Sequence, residues 1–147
     1  MKMGLLRPED GIENNKRLVQ TMKESGFDVG FIRVGTNLPK GKATDKMVAD
    51  NMRPLVQMIG DAGMAVGCYS ISDVSGNRLS ANALAMLVKG KGGDRIVACK
   101  VTESTYETST LEVLKHKDLK HLKVVQGWDA FISCALMDGP KHDSMGR

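Results

Sequence analysis

The chain has 147 residues, 41% hydrophobic and 26% charged, which suits one soluble domain with a sizeable core. A net charge of +4 and a pI near 9.0 are a mild basic excess, not the clustered stripe of a nucleic-acid binder, so no nucleic-acid partner is expected. The one dense basic stretch, Leu114 to Lys123, is interrupted by Leu119 and Leu122 and reads as a solvated helix end and loop.

Cys68, Cys99 and Cys134 sit in apolar patterns without ligand spacing, so reduced, buried thiols in the cytosol are expected. His116, His121 and His142 form no metal-ligand spacing with acids or with each other. The sequence has no apolar run long enough for a membrane span and no signal-like N-terminal segment. A cytoplasmic protein with no membrane partner is expected.

In chain order, Glu9 to Ser25 groups Ile12, Leu18, Val19 and Met22 at helical spacing, with Gly26 as its stop. Val29–Val34 then reads as a strand. Asp45 to Ala62 gathers Met47, Val48, Met52, Leu55, Met58 and Ile59 on one helical face; Pro54 predicts a kink, and Gly60 and Gly63 mark the end. Met64–Tyr69 is a second strand. Ser80 is a good N-cap for a helix carrying Leu84, Met86 and Leu87. Arg95–Val101 is a third strand, and Ser109 or Thr110 opens a short helix. Leu122–Gln126 is a fourth strand, and Asp129 opens a last helix ending near Gly139-Pro140. Alternation of this kind predicts βα units and a parallel sheet, either a small doubly wound domain or part of a (β/α)₈ barrel.

In both architectures function collects at the C-terminal ends of the strands. Those ends read Gly35-Thr36-Asn37, Tyr69-Ser70-Ile71-Ser72, Lys100-Val101-Thr102-Glu103 and Gly127-Trp128-Asp129, all polar. Strand alternation puts Ala65, Gly67 and Tyr69 on one face, and Ile96, Ala98 and Lys100 on one face of the next strand. A lysine against an apolar wall loses solvation of its charged form and becomes a neutral amine nucleophile. A neighbouring tyrosine can carry protons. That is Schiff-base chemistry; the structural alternative is a snorkelling lysine beside a core tyrosine with a wet hydroxyl. A P-loop is a decoy here: between Gly35 and Gly41-Lys42 five residues intervene where four are needed, Ala43 replaces the hydroxyl residue, and Pro39 removes an amide.

Four segments together resemble the dihydrodipicolinate synthase / N-acetylneuraminate lyase family of class I aldolases. Ile-Val-Ala-Cys-Lys100-Val-Thr-Glu is similar to the family's Schiff-base strand, and Cys68-Tyr69-Ser-Ile-Ser-Asp-Val-Ser-Gly76 to its tyrosine strand and loop. Val-Val-Gln-Gly127-Trp-Asp129 resembles the glycine-aspartate segment after the next strand, and Gly26-Phe-Asp28 with Val29–Val34 the strand before the tyrosine. The resemblance implies an α/β fold: residues 1–147 as a single partial (β/α)₈ TIM-barrel domain of about four βα units, strands four to seven of the family.

It implies a lyase or aldolase in which Lys100 forms an imine with pyruvate or a related 2-oxo acid and Tyr69 relays protons. Thr102 and the Gly127 backbone line the pocket, and the chemistry needs no cofactor or metal. The sequence departs from the family at Ser70-Ile71-Ser72, where Asn-Val-Pro is common, at Val74, where an arginine is frequent, and at Gly35-Thr36-Asn37, where an aromatic pair is usual. Full barrels of this fold run to roughly 250 residues. A fragment is therefore expected, partnered by a missing half-barrel or by a second copy. The alternatives are a catalytically silent α/β interaction module and a flavodoxin-like ligand-binding domain.

Overall fold

The computed structural model describes residues 1–139. Five parallel strands form one sheet in chain order: β1 Met3–Leu6, β2 Val29–Arg33, β3 Ala65–Ser70, β4 Ile96–Val101 and β5 Lys123–Gln126. The helices between and after them are α1 Ile12–Glu24, α2 Asp45–Asp61, α3 Ser72–Ser75, α4 Ala81–Val88, α5 Thr110–Lys115 and α6 Ile132–Asp138. Sequential order with every neighbour parallel is barrel-type winding, since a doubly wound sheet reverses direction at a switch point. The α/β, partial-barrel expectation holds.

Among the described residues there are five strands rather than the four expected. β1 escapes the sequence pattern because it is short, lies at the edge of the sheet and contains Gly4, a residue that weakens strands. Gly4 lets the end of Met22 on α1 pack close to the strand, 2.7 Å from where a Cβ would stand. The expected helix over Glu9 to Ser25 is also split. Pro8–Asp10 makes a separate 3₁₀ turn, and Gly11, at φ 81°, breaks the path before α1 begins. The last helix ends at Asp138 with Gly139 as its C-cap, as expected near Gly139-Pro140, while Pro140 and His142 lie outside the described residues.

Local capping follows the sequence elsewhere. Thr44 accepts from Met47 N–H at 3.2 Å to open α2, and Ser80 accepts from Ala83 N–H at 3.1 Å to open α4. Pro54 lies inside α2, whose assignment continues unbroken through it.

The sheet has two unlike faces. On the outer face Leu6, Ile32, Val34, Val66, Cys68, Ile96, Cys99 and Val101 are sealed under α1, α2 and α4, forming one continuous core. On the inner face Met3, Leu5, Val97 and Val125 are exposed. Gly67 leaves room there for Phe31, whose ring would lie 2.5 Å from a Cβ. Among the described residues no helix is long and apolar enough to cross a membrane.

Strand β4 corrects one expectation. Val66 pairs with Ile96 but Gly67 pairs with Ala98, so the register slips by one residue. This bulge places Val97, 42% exposed, on the inner face with Ala98 and Lys100, and turns Ile96, 1% exposed, into the outer core. Ile96 does not share the face of Lys100.

An apolar inner face flanked by open β1 and β5 edges is an association hazard. Expressed as these 147 residues alone, the protein should elute above monomer mass in size-exclusion with light scattering. Its near-UV CD from Trp128 should be weak or concentration-dependent. A sharply folded monomer with cooperative melting contradicts this expectation.

Candidate functional site

Register brings the central pair together. Tyr69 of β3 is the direct neighbour of Lys100 on β4, and both side chains point to the inner face. The Lys100 amine lies 4.7 Å from the Tyr69 ring centroid, a cation–π contact that leans the lysine stem toward β3. Both residues are half-buried and border a cavity of about 640 Å³ with Phe31, Val97, Ala98 and Val125. The walls are mostly apolar, and Lys100, Tyr69 and Lys123 are the polar side chains among the lining residues.

Thr102 lies two residues beyond Lys100, in the same strand phase, and its Oγ1 donates to the Tyr69 hydroxyl at 3.3 Å. That bond uses a lone pair of the phenol and leaves its proton free. Gly127 follows β5 and donates its N–H to the Val101 carbonyl at 2.7 Å. A Cβ at Gly127 would collide with Thr102 Oγ1 and lie 3.0 Å from Lys100 Cε. Lys100, Tyr69, Thr102 and Gly127, the four residues singled out by sequence, therefore form one contiguous cluster at the C-terminal ends of β3, β4 and β5.

Three further residues build the site without having been given a role. Glu103, 6% exposed, takes the opposite phase to Thr102 and points away from the cavity. Its carboxylate accepts from Ser70 Oγ at 2.6 Å, from Ser72 N–H at 3.0 Å and from Ser72 Oγ. Ser70 Oγ in turn accepts from Leu79 N–H at 2.9 Å. These charge-assisted bonds lock the loop after Tyr69 to the loop after Lys100. The departure at Ser70-Ile71-Ser72 thus has a structural use: two hydroxyls meet one buried carboxylate.

Arg33 ends β2 and pairs in register with Tyr69. It is 7% exposed, donates to its neighbour Val34 O at 2.9 Å, and forms an ion pair with Glu9 from the β1–α1 connection. Burial pushes the Glu9 carboxyl up, but backbone hydrogen bonds and the Arg33 guanidinium outweigh it and hold the group below its ordinary 4.5. Sequence alternation carried a signal for Arg33, which shares the phase of Val29 and Phe31, but the run had been read only as an apolar strand.

The cysteines stand apart from this chemistry. Cys68 and Cys99 are register neighbours on the outer, helix-covered face. Burial, then the neighbouring Cys99, pushes the Cys68 thiol well up; burial, then Glu103, raises Cys99 to about 12. Neither is a thiolate nucleophile at neutral pH. Cys134, expected to be buried, is exposed on α6. Tyr106 donates to Asp138 at 2.9 Å and packs on Phe131, which fastens the β4–α5 loop to α6; burial and that carboxylate raise its hydroxyl to about 12. Among the described residues no group of three His, Cys, Asp or Glu side chains is placed to hold a metal ion.

Because the folded-state value of Glu9 is depressed, its stabilising contribution is complete above 4.5 and disappears as the pH falls through the lower folded value. The melting-temperature gap between wild type and Glu9→Gln should be open at neutral pH and close in acid. A gap that widens below pH 4.5 contradicts the ion pair as described.

No protein-family model and no curated protein matches the chain by sequence. Solved structures do match by fold. Dihydrodipicolinate synthase from Agrobacterium tumefaciens superposes with a TM-score of 0.74 at 14% identity, over 95% of this chain and 46% of that one. The Aquifex aeolicus dihydrodipicolinate synthase gives 0.69 at 17% identity, over 95% and 43%. A Sulfolobus 2-keto-3-deoxygluconate aldolase, solved with D-KDPG, gives 0.63 at 16% identity, over 90% and 39%. At these identities the likeness shows the fold. The chain spans less than half the length of the solved proteins it matches.

Proposed function

We propose that this chain is the imine-forming part of a lyase or aldolase barrel acting on pyruvate or a related 2-oxo acid. The observation that carries the reading is the Lys100–Tyr69–Thr102 cluster, an amine, a phenol and a hydroxyl in contact at the mouth of an apolar cavity. The similarity in fold to dihydrodipicolinate synthases and a 2-keto-3-deoxygluconate aldolase supports it. We place the protein in the cytosol. Its inner face would be closed by further βα units, supplied by another part of the protein or by a second copy.

In this mechanism the unprotonated Lys100 Nζ attacks the ketone carbon of the 2-oxo acid, giving a carbinolamine. Loss of the hydroxyl as water, with proton delivery to the departing oxygen, gives the imine. Protonated, the imine withdraws the electron pair from the adjacent carbon. Loss of a C–H proton there forms an enamine that attacks an aldehyde; in reverse, cleavage of the C–C bond releases the aldehyde and leaves the enamine. The Tyr69 hydroxyl is the proton carrier in this reading, since Thr102 donates to its oxygen and leaves the O–H free to donate. Gly127 keeps the Lys100 stem and Thr102 free of a side chain that would displace both.

Incubation of the protein in its native assembly with pyruvate, then borohydride, should reduce the imine to a stable secondary amine on Lys100 alone. Peptide mapping by mass spectrometry reads this directly. Labelling spread over surface lysines such as Lys40 or Lys117, or persisting in Lys100→Ala, would sink the assignment. Lys100→Arg should be unlabelled, because a guanidinium stays protonated.

Tyr69→Phe keeps the ring beside Lys100 and removes only the hydroxyl. Turnover should fall roughly 10²- to 10⁴-fold with the melting temperature nearly unchanged. Unfolding, with activity per folded molecule intact, would mark the tyrosine as structural.

A further inference from the structure

We propose that the inner face of this sheet is closed by a partner of three parallel βα units, different in sequence from this chain, that presents a carboxylate to Lys123. The inference deepens the closed-barrel part of the proposed function and rests on it, but is independent of the imine. Lys123 of β5 is in register with Ala98, and the row continues through Gly67 and Phe31 to Leu5 on the far edge. One row thus crosses the whole sheet, and its only polar side chain is the lysine at the β5 edge. Lys100, level with Val125, lies one inward row nearer the C-terminal ends of the strands. Lys123 borders the cavity, is exposed, and has no ion pair for its ammonium among the described residues.

Closure sets the partner's size and charge. Eight parallel strands in chain order complete a barrel of this winding, so five strands leave room for three, hydrogen-bonded to the free edges of β1 and β5. The interior of such a barrel is a packed core, and an ammonium shut into it without a counter-charge is strongly unfavourable. None of the residues lining the cavity is acidic; its basic side chains are Lys100 and Lys123. The counter-charge must therefore come from the closing strands. A second copy of this chain fails on both counts. It would make a ring of ten strands, wider than side chains fill, and it would set two further lysines against these two with no carboxylate between them. A lysine of this kind also selects its partner, since a closing strand without the acid leaves it buried and unpaired.

Light scattering on the native assembly under stepwise dilution tests this. Lys123→Glu sets like charges against each other and should weaken the assembly roughly tenfold or more, and by more than Lys123→Met, which only removes the ammonium. A second measurement needs no variant. Carbodiimide condenses an amine with a carboxylate in contact, and should join Lys123 to an Asp or Glu in a peptide foreign to this chain, identified by mass spectrometry. The surface pair Lys89–Asp118, 2.7 Å apart, is the internal control. A native assembly built of this chain alone, or coupling of Lys123 to another copy of it, overturns the proposal. So does an assembly that Lys123→Glu tightens or leaves unchanged; the unchanged case marks Lys123 as a charge guarding an open strand edge. Borohydride trapping with pyruvate is read separately. Trapping at Lys100 without a foreign carboxylate at Lys123 keeps the imine and removes this partner. Coupling at Lys123 without trapping does the reverse.

Discussion

The parallel pairing of β3 with β4 determines how Lys100, Tyr69 and Thr102 come together. Side chains alternate across a strand, so a slip of one residue exchanges the two faces. The bulge at Ile96 and Val97 takes up one such slip. Beyond it, Cys99 and Val101 point to the helices while Ala98, Lys100 and Thr102 point inward. Without the extra residue, continuing the Val66–Ile96 pairing would set Val97 rather than Ala98 beside Gly67. Lys100 would then lose its register with Tyr69. The 4.7 Å contact between amine and ring and the Thr102–Tyr69 hydrogen bond both depend on this local irregularity.

The core and the candidate site are divided between the faces of the same sheet. The outer face carries the continuous core under α1, α2 and α4, where burial of apolar area supplies the main folding force. The inner face contributes little to that core and is free to combine apolar walls with a few polar ends. The ion pair of Arg33 with Glu9 and the carboxylate of Glu103 sit at the boundary, where strands become loops. Each bridges two successive βα connections. The loops that hold the reactive groups are thereby tied to one another and not only to their own strands.

Much of this was legible in the sequence because the relevant patterns are local. The four longer apolar runs became β2 to β5, Ser80 capped α4, and Asp45 opened α2. Lys100 and Tyr69 could be picked out because they end small or apolar runs, whereas Thr102 and Gly127 came only from the family resemblance. What failed was non-local. β1 is recognisable only through its pairing with β2 and through Met22 packed against Gly4. The inward phase of Val97 depends on a bulge that strict alternation cannot express. Arg33 hid inside a run read as apolar, and its partner Glu9 lies in a segment read as helix that Gly11 divides.

Consecutive residues of one segment show how little sequence such a site needs. Lys100 borders the cavity and Thr102, in the same phase, meets the Tyr69 hydroxyl; Val101 and Glu103 take the other. Val101 anchors the strand in the outer core and its carbonyl receives Gly127 N–H, which brings the β5 loop against the lysine stem. Glu103 reaches across to Ser70 and Ser72 and fixes the loop that follows the phenol. Four residues thus supply an inward amine, an anchor, a hydrogen-bond partner for the Tyr69 phenol and a clamp, with each placed by strand phase. A substitution at Val101 or Glu103 would alter the candidate site from behind the sheet, Val101 through the outer core and Glu103 through Ser70 and Ser72.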